Sequence, residues 1–295
     1  MNPPAAGAHA PDRWIEVNGV SLRFRLSGTG PRTLVLVHEM GGTLESWDAL
    51  LAWLQQAAGA AAGEAQAALS DYRMLRYDLR GSGMSEKLRG PLAEPTLHDM
   101  TQDLAQLLDA LEIDGPVALA GCAVGARIAL SFAAHAPTRV AALVALAPSL
   151  DVGTARAQAA RDSIARIERE GTRAAMRESL QRMFAAPLGM DVRIGADYLL
   201  RHAGNDASSY AAIYRMLLAS RLDGQLGAIR CACLILAGDL DTARPMEEIA
   251  AAAATIPGAR FETLHSGHFM HLQTPHTVGA RMLQFLHDVQ AAARA

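Results

Sequence analysis

The stretch that decides the fold is PVALAGCAVGARIA, residues 116–129. It begins with a compact apolar run over residues 116–120 and then passes through two glycines, Gly121 and Gly125, with three residues between them. Beyond the second glycine, apolar residues recur at the spacing of one helix face. The pattern predicts a short buried strand, a tight turn and the first turns of a helix.

A strand that enters a helix through the pattern Gly-x-Nu-x-Gly is a nucleophile elbow, whose central side chain is the reactive one. The turn is so sharp that glycine is needed where a side chain would collide with neighbouring backbone. The central residue is held in a strained conformation. That residue is Ala123, which has no hydroxyl, thiol or ionisable group. The elbow pattern therefore predicts acyl-transfer chemistry, but its central residue lacks the usual nucleophile.

Strand and helix patterns alternate along most of the chain, which predicts an α/β fold with a mostly parallel, doubly wound sheet. Between about residues 151 and 226 the strand patterns disappear and helical ones dominate. We therefore expect a core of residues 1–150 and 227–295, with a helical cap at 151–226 inserted after the sixth strand. The Ala-rich residues 57–69 are expected to form a surface extension.

Composition limits the partners. A net charge of −3 gives no basic footprint for nucleic acid, and no apolar run approaches the ~20 residues of a membrane span. The first residues lack the basic and apolar regions of a secretory signal, and three cysteines do not suggest a disulfide framework. We expect a cytoplasmic protein with no nucleic-acid or membrane partner, and the sequence is compatible with a homo-oligomer.

Five segments along the chain carry a family resemblance when taken together and in order: His38 with Gly41, Gly42 and Trp47, residues 78–85, Gly121 with Gly125, residues 238–241 with Pro245, and residues 266–268. They resemble the α/β-hydrolase superfamily over essentially the whole chain. Within it, the stretches around Trp47 and Asp78 are similar to the 3-oxoadipate enol-lactonase group. The resemblance implies an α/β-hydrolase fold and action on a small ester, lactone or amide.

The family order of nucleophile, acid and histidine implies that Asp241 is the acid and His268 the base, with Ala123 at the nucleophile position. His268 would accept a proton, and Asp241 would orient its ring and stabilise the imidazolium. Asp239 is a competing acid in the same turn. Cys122 is a competing thiol, but it lies one residue from the centre of the elbow, where the turn directs its side chain away.

The resemblance also implies an oxyanion hole made by the backbone N–H groups of Met40 and Val124. A change of side chain at position 123 does not remove backbone donors. Glu39 departs from the family pattern, because this turn usually carries glycine. A carboxylate there would repel a developing oxyanion unless it points away or pairs with a cation.

Three histidines, His265, His268 and His271, are spaced three apart, which raises the question of a metal site. They span a strand end, a loop and a helix start, so they need not converge on one point as zinc ligands must. We therefore predict no metal and no other cofactor.

Three functional hypotheses stay open. The first is a hydrolase whose serine has been replaced by alanine, naturally or by engineering. The second is a natural enzyme that uses His268 and Asp241 without a covalent intermediate, for water activation or for proton-transfer or lyase chemistry. The third is a binding protein. The retained pair disfavours the third. We predict a hydrolase with a small-molecule carbonyl substrate, because every feature except Ala123 fits it. Candidate substrate contacts in the cap are Tyr198, His202, Tyr210 and Tyr214.

Overall fold

The computed structural model describes residues 10–60, 70–184, 188–222 and 224–294. Residues 61–69 of the predicted surface extension lie outside them. The centre is an eight-stranded sheet with the strand order β1-β2-β4-β3-β5-β6-β7-β8. The strands are Arg13–Val17 (β1), Val20–Ser27 (β2), Arg32–Val37 (β3), Tyr72–Tyr77 (β4), Val117–Cys122 (β5), Val140–Leu146 (β6), Ala232–Gly238 (β7) and Arg260–Leu264 (β8).

Strand β2 pairs antiparallel with β1 and β4, and every other neighbouring pair is parallel. The predicted α/β-hydrolase fold with a mostly parallel sheet is therefore confirmed. The helices are Asp48–Ala60 (α1), Leu97–Ala110 (α2), Val124–His135 (α3), Thr154–Glu170 (α4), Thr172–Met183 (α5), Val192–Ala203 (α6), Ala207–Ala219 (α7), Met246–Ala253 (α8), Met270–Gln273 (α9) and Pro275–Arg294 (α10).

The sheet is buried on both faces, as its continuous apolar strands predict. On one face, Leu104 of α2 and Ile128 of α3 pack with Leu119 of β5 in a single core cluster. On the other, Leu50 of α1 and Met282 of α10 pack against the opposite side of the sheet. None of the described helices is long and apolar enough to cross a membrane.

Helices α4–α7 follow β6 and precede β7, and we call them the helical insert. It contacts the core at the turn after β3, where Asn205 Nδ2 donates to Gly41 O at 2.8 Å. A second contact joins Leu88 N to Ser209 Oγ at 2.9 Å. The insert therefore lies over the carboxyl ends of the central strands, where sites in open α/β sheets form.

Candidate active site

The elbow is built as the sequence predicts, with alanine at its centre. Ala123 follows β5 directly and has φ 50° and ψ −110°, a conformation that costs a non-glycine residue about 1–3 kcal/mol. Backbone hydrogen bonds hold it there: Ala123 N donates to Leu146 O at 3.0 Å, and Ala123 O accepts from Arg127 N at 3.1 Å and Ser149 N at 3.0 Å. The neighbouring strand and helix thus impose the strain without any help from a reactive side chain.

The two flanking glycines are required by close backbone contacts. A Cβ on Gly125 would lie 2.1 Å from Val37 O, and one on Gly121 would lie 2.5 Å from the Gly125 carbonyl carbon. Real Cβ atoms are never found so close, so any larger residue would force α3 away from β3. The glycines set the position of Ala123 at the end of β5.

His268 and Asp241 form a hydrogen-bonded pair, with Nδ1 and Oδ2 2.8 Å apart. The other carboxylate oxygen accepts from the backbone N–H groups of Ala243 at 2.7 Å and Arg244 at 3.0 Å. Burial opposes ionisation of Asp241, but His268 and the backbone N–H groups of Ala243 and Arg244 together outweigh it and lower the pKa of the carboxyl. Because a carboxylate only accepts, Nδ1 carries the proton, and Nε2 is left to accept one.

The two N–H groups predicted to bind an oxyanion lie on defined elements. Val124 is the first residue of α3, so its N–H has no acceptor within the helix and lies at the positive end of the helix dipole. Met40 lies in a turn that Gly42 N closes by donating to Glu39 O at 3.0 Å. Their role as oxyanion donors stays a prediction.

Glu39, the departure from the family pattern, is completely buried and faces His271. Its Oε2 lies 3.1 Å from His271 Nε2, in an orientation outside a well-formed hydrogen bond, and its Oε1 accepts from Ser46 Oγ at 2.8 Å. The His271 ring packs at a tilt against Trp47 with centroids 4.5 Å apart. Burial acts to raise the pKa of Glu39, but His271, His38 and a backbone hydrogen bond together outweigh this and lower it to about 2. The Glu39 carboxylate is thus directed at Ser46 and His271 inside the protein.

Neither Asp239 nor Cys122, the competing acid and the competing thiol, takes part in the His268–Asp241 pair. Asp239 bonds the exposed His265, with Oδ2 and Nδ1 2.9 Å apart. Cys122 is buried, with Sγ 3.7 Å from the carbonyl oxygen of His268. Burial raises the pKa of this thiol well above its usual value, with Glu39 adding to the effect. It therefore stays protonated and is a poor nucleophile.

The three histidines do not converge, since each pairs with a different carboxylate. A different group, Glu39, Cys122 and His271, does bring its donor atoms within 4.8 Å of one another. Sequence reasoning missed this group, because its members come from three separate elements. Both carboxylate oxygens of Glu39 already have neighbours in the protein, Ser46 Oγ at 2.8 Å and His271 Nε2 at 3.1 Å.

The helical insert adds aromatic side chains around His268. Phe269 packs against His268 with ring centroids 5.1 Å apart and against Tyr198 at the same separation. A Cβ on Gly41 would lie 2.5 Å from the His202 ring, so the insert presses directly on the turn that carries Met40. The hydroxyl of Tyr198 and Nδ1 of His202 are buried without a hydrogen-bond partner in the described part of the chain.

The family model for serine aminopeptidase, S33, matches residues 60–274. The chain belongs to this hydrolase family. Solved structures with the same fold include an enol-lactonase from Burkholderia xenovorans LB400, with TM-score 0.81 and 24% identity, covering 93% of this chain and 99% of that one. A hydrolase from Pseudomonas aeruginosa PA01 is 27% identical with TM-score 0.76, covering 93% and 98%. A thermophilic esterase from Thermogutta terrifontis has TM-score 0.80 and 24% identity, covering 95% and 99%.

Two curated relatives are dihydrolipoyllysine-residue acetyltransferase components of acetoin cleaving systems. The protein from Pseudomonas putida is 35% identical over 133 residues, which is 45% of this chain and 31% of that protein. The protein from Cupriavidus necator is 28% identical over 141 residues, which is 48% of this chain and 33% of that protein. This chain therefore matches about a third of the length of these relatives.

Proposed function

We propose that this protein hydrolyses a small ester or lactone by direct attack of water, with His268 as the general base and no acyl-enzyme. The single observation that carries the proposal is the pairing of a fully formed elbow at Ala123 with an ordered His268–Asp241 pair. The enol-lactonase and the esterases among the structural relatives favour an ester or lactone substrate.

Alanine at the centre of the elbow leaves room for one more oxygen atom than serine would. A water molecule in that space is placed to donate a proton to His268 Nε2 while its oxygen attacks the substrate carbonyl carbon. Asp241 stabilises the imidazolium that results. The negative charge on the carbonyl oxygen is received by the N–H groups of Met40 and Val124.

The tetrahedral intermediate then collapses and the carbon–oxygen bond to the leaving group breaks. His268 returns its proton to the departing alkoxide, which releases an alcohol or opens the lactone ring. The products are a carboxylic acid and a hydroxyl group, and the enzyme is regenerated in one chemical cycle. No covalent intermediate forms at position 123.

The test compares the wild type, Ala123→Ser and His268→Ala on p-nitrophenyl acetate and on simple lactones. We expect slow turnover by the wild type without a burst, and loss of that turnover in His268→Ala. Ala123→Ser should show a burst and an acyl-enzyme visible by mass spectrometry. Removing a triad nucleophile costs about 10⁶ in kcat and leaves roughly 10³–10⁴ over water, so the serine variant should be faster by orders of magnitude.

Two results would contradict the proposal. Wild-type turnover that equals that of His268→Ala would remove the base from the mechanism. A wild type that binds substrate without turning it over, beside a fully active Ala123→Ser, would identify a hydrolase silenced at its nucleophile.

A further inference from the structure

A cavity of about 400 Å³ lies between the helical insert and the loops that follow β6 and β7. Ser149 of the first loop, Thr242 and Arg244 of the second, and Tyr214 of α7 contribute to its wall. Asp241 immediately precedes this stretch and accepts the Arg244 N–H at 3.0 Å. Ser149 N likewise donates to Ala123 O at 3.0 Å. Two residues of the cavity wall are therefore each one backbone hydrogen bond away from the candidate site.

The guanidinium of Arg244 has few partners in this cavity. Nη2 donates to Ser149 Oγ at 3.2 Å, and Nη1 donates to the neighbouring Ala243 O at 3.1 Å. Nε is sealed from solvent and has no hydrogen-bond partner. Among the described residues, no carboxylate forms an ion pair with this side chain, whereas Arg127, Arg156 and Arg221 each have one.

The acids nearest the cavity are already engaged. Asp151 is held by Arg127 at 2.9 Å and Arg221 at 3.1 Å. Glu248 pairs with Arg156 at 2.5 Å. Asp241 shares its two oxygens between His268 and two backbone N–H groups. Among the described residues, none of these carboxylates forms an ion pair with Arg244, although Asp241 and Glu248 lie near enough to act on its charge.

A partly buried guanidinium without an acid partner favours binding of an anion. Burial lowers the pKa of Arg244, and the nearby Tyr214, Asp241 and Glu248 offset this only in part. Arginine nevertheless keeps its proton in proteins, so the charge remains and its desolvation is only partly compensated. The planar fork of N–H groups matches the two oxygens of a carboxylate.

We propose that Arg244, together with the Ser149 hydroxyl, binds a carboxylate group of the substrate and so selects anionic over neutral carbonyl compounds. This assignment rests on the proposed function, which places the reacting carbonyl group beside His268. The cavity is large enough for a small carboxylic acid. Arg244 is then a specificity-determining residue of the same site.

The test measures binding, so it does not depend on turnover. Monomethyl succinate, which carries one ester and one carboxylate, and its neutral counterpart dimethyl succinate are titrated into the wild type by isothermal titration calorimetry. We expect the acid to bind roughly ten- to a hundredfold more tightly, as for a hydrogen bond between charged groups. In Arg244→Gln the difference should disappear, and Arg244→Lys should restore part of it.

The matched control is Arg193→Gln, which removes the same charge from the exposed start of α6, where Arg193 pairs with Asp191. It should leave the preference for the acid unchanged. Equal affinity of the wild type for the two succinates would overturn the proposal, as would an equal loss in both glutamine variants or tighter binding of inorganic phosphate than of monomethyl succinate.

The comparison of the two ligands needs no variant, so it decides the question even if Arg244→Gln does not fold. The two proposals also fail separately. A wild type that binds the acid selectively but shows no turnover dependent on His268 would retain the carboxylate site and contradict the proposed hydrolysis. Turnover that depends on His268, without any preference for the acid, would retain the proposed hydrolysis and contradict the carboxylate site.

Discussion

Ala123 keeps a backbone conformation that its own side chain does not need. Its positive φ is imposed by three backbone hydrogen bonds and by the contact of Gly125 with β3. A methyl group gains nothing from this geometry, whereas a hydroxyl or a water molecule in its place would lie at the end of β5. At the scale of the residue, the site thus has the backbone geometry of a nucleophile position with a methyl group at its centre.

The first prediction at this scale concerns the buried pair of Glu39 and His271. Replacing Glu39 with glutamine removes a fully buried carboxylate that accepts from Ser46 Oγ at 2.8 Å and faces His271 Nε2 at 3.1 Å. Hydrogen bonds to charged groups typically contribute about 1.5–3 kcal/mol. We expect a loss of that size in urea unfolding at neutral pH.

The control is Glu16→Gln on the exposed edge strand β1, which should change the free energy of unfolding by less than about 0.5 kcal/mol. A loss below about 1 kcal/mol in Glu39→Gln would show that the carboxylate does not depend on His271.

The resemblance to the α/β-hydrolases implies Asp241 and His268, and both follow strands whose carboxyl ends meet at one edge of the sheet. The sequence leaves open whether Glu39 points away from the site or pairs with a cation, because His271 comes from a short helix near the other end of the chain. Sequence reasoning missed Arg244. Its position without an acid partner depends on how the insert packs against the core, and no local pattern records that.

At the scale of the element, the elbow requires α3 to lie against β3 without a side chain between them. Alanine in place of glycine usually stabilises a helix by roughly 1 kcal/mol. In Gly125→Ala we expect the opposite sign, because its Cβ would meet Val37 O at 2.1 Å. Overpacking of this kind costs typically 1–3 kcal/mol, measured as a lower Tm and midpoint of chemical unfolding.

The matched control is Gly115→Ala, where an added Cβ meets no heavy atom within 4 Å. Equal stability of the two variants would mean that α3 can shift away from β3, and that the elbow is softer than its contacts indicate.

Element boundaries show where local patterns stop being sufficient. The apolar residues of helix α6 recur from Gly195 onward, and these predict a helix that begins there, but α6 begins at Val192. Asp191 extends it by accepting the Arg193 N–H at 2.8 Å, an N-cap that the apolar spacing alone does not reveal.

At the scale of the whole molecule, the insert and the core meet at the turn that carries Met40. The His202 ring occupies the space beside Gly41 that a Cβ would need, and the Asn205 side chain donates a hydrogen bond to the Gly41 carbonyl oxygen. The division into core and cap stays a prediction. These contacts show that the position of the turn depends on the packing of the insert. Any change in how α6 packs would move the turn.

His202 makes this packing sensitive to pH. Burial lowers its pKa from 6.5 to about 4, and the nearby Glu39 offsets only part of the effect. Between these two values the unfolded chain binds a proton that the folded protein excludes, so stability falls as the pH falls through this range. One pKa unit corresponds to 1.36 kcal/mol, which gives a loss of about 3 kcal/mol between pH 7 and pH 4.

The measurement is urea unfolding at several pH values between 7.5 and 4, for the wild type, His202→Gln and the exposed control His98→Gln. At each pH, the free energy of unfolding of His202→Gln is subtracted from that of the wild type, so that the contributions of groups that titrate in both proteins cancel. The remaining difference should shrink as the pH falls below 6.5, because the variant has no imidazole that protonates on unfolding. His98→Gln should follow the wild type. Parallel curves for wild type and His202→Gln would show that a protonated ring is tolerated against Gly41, so that the insert does not hold the turn through a neutral imidazole.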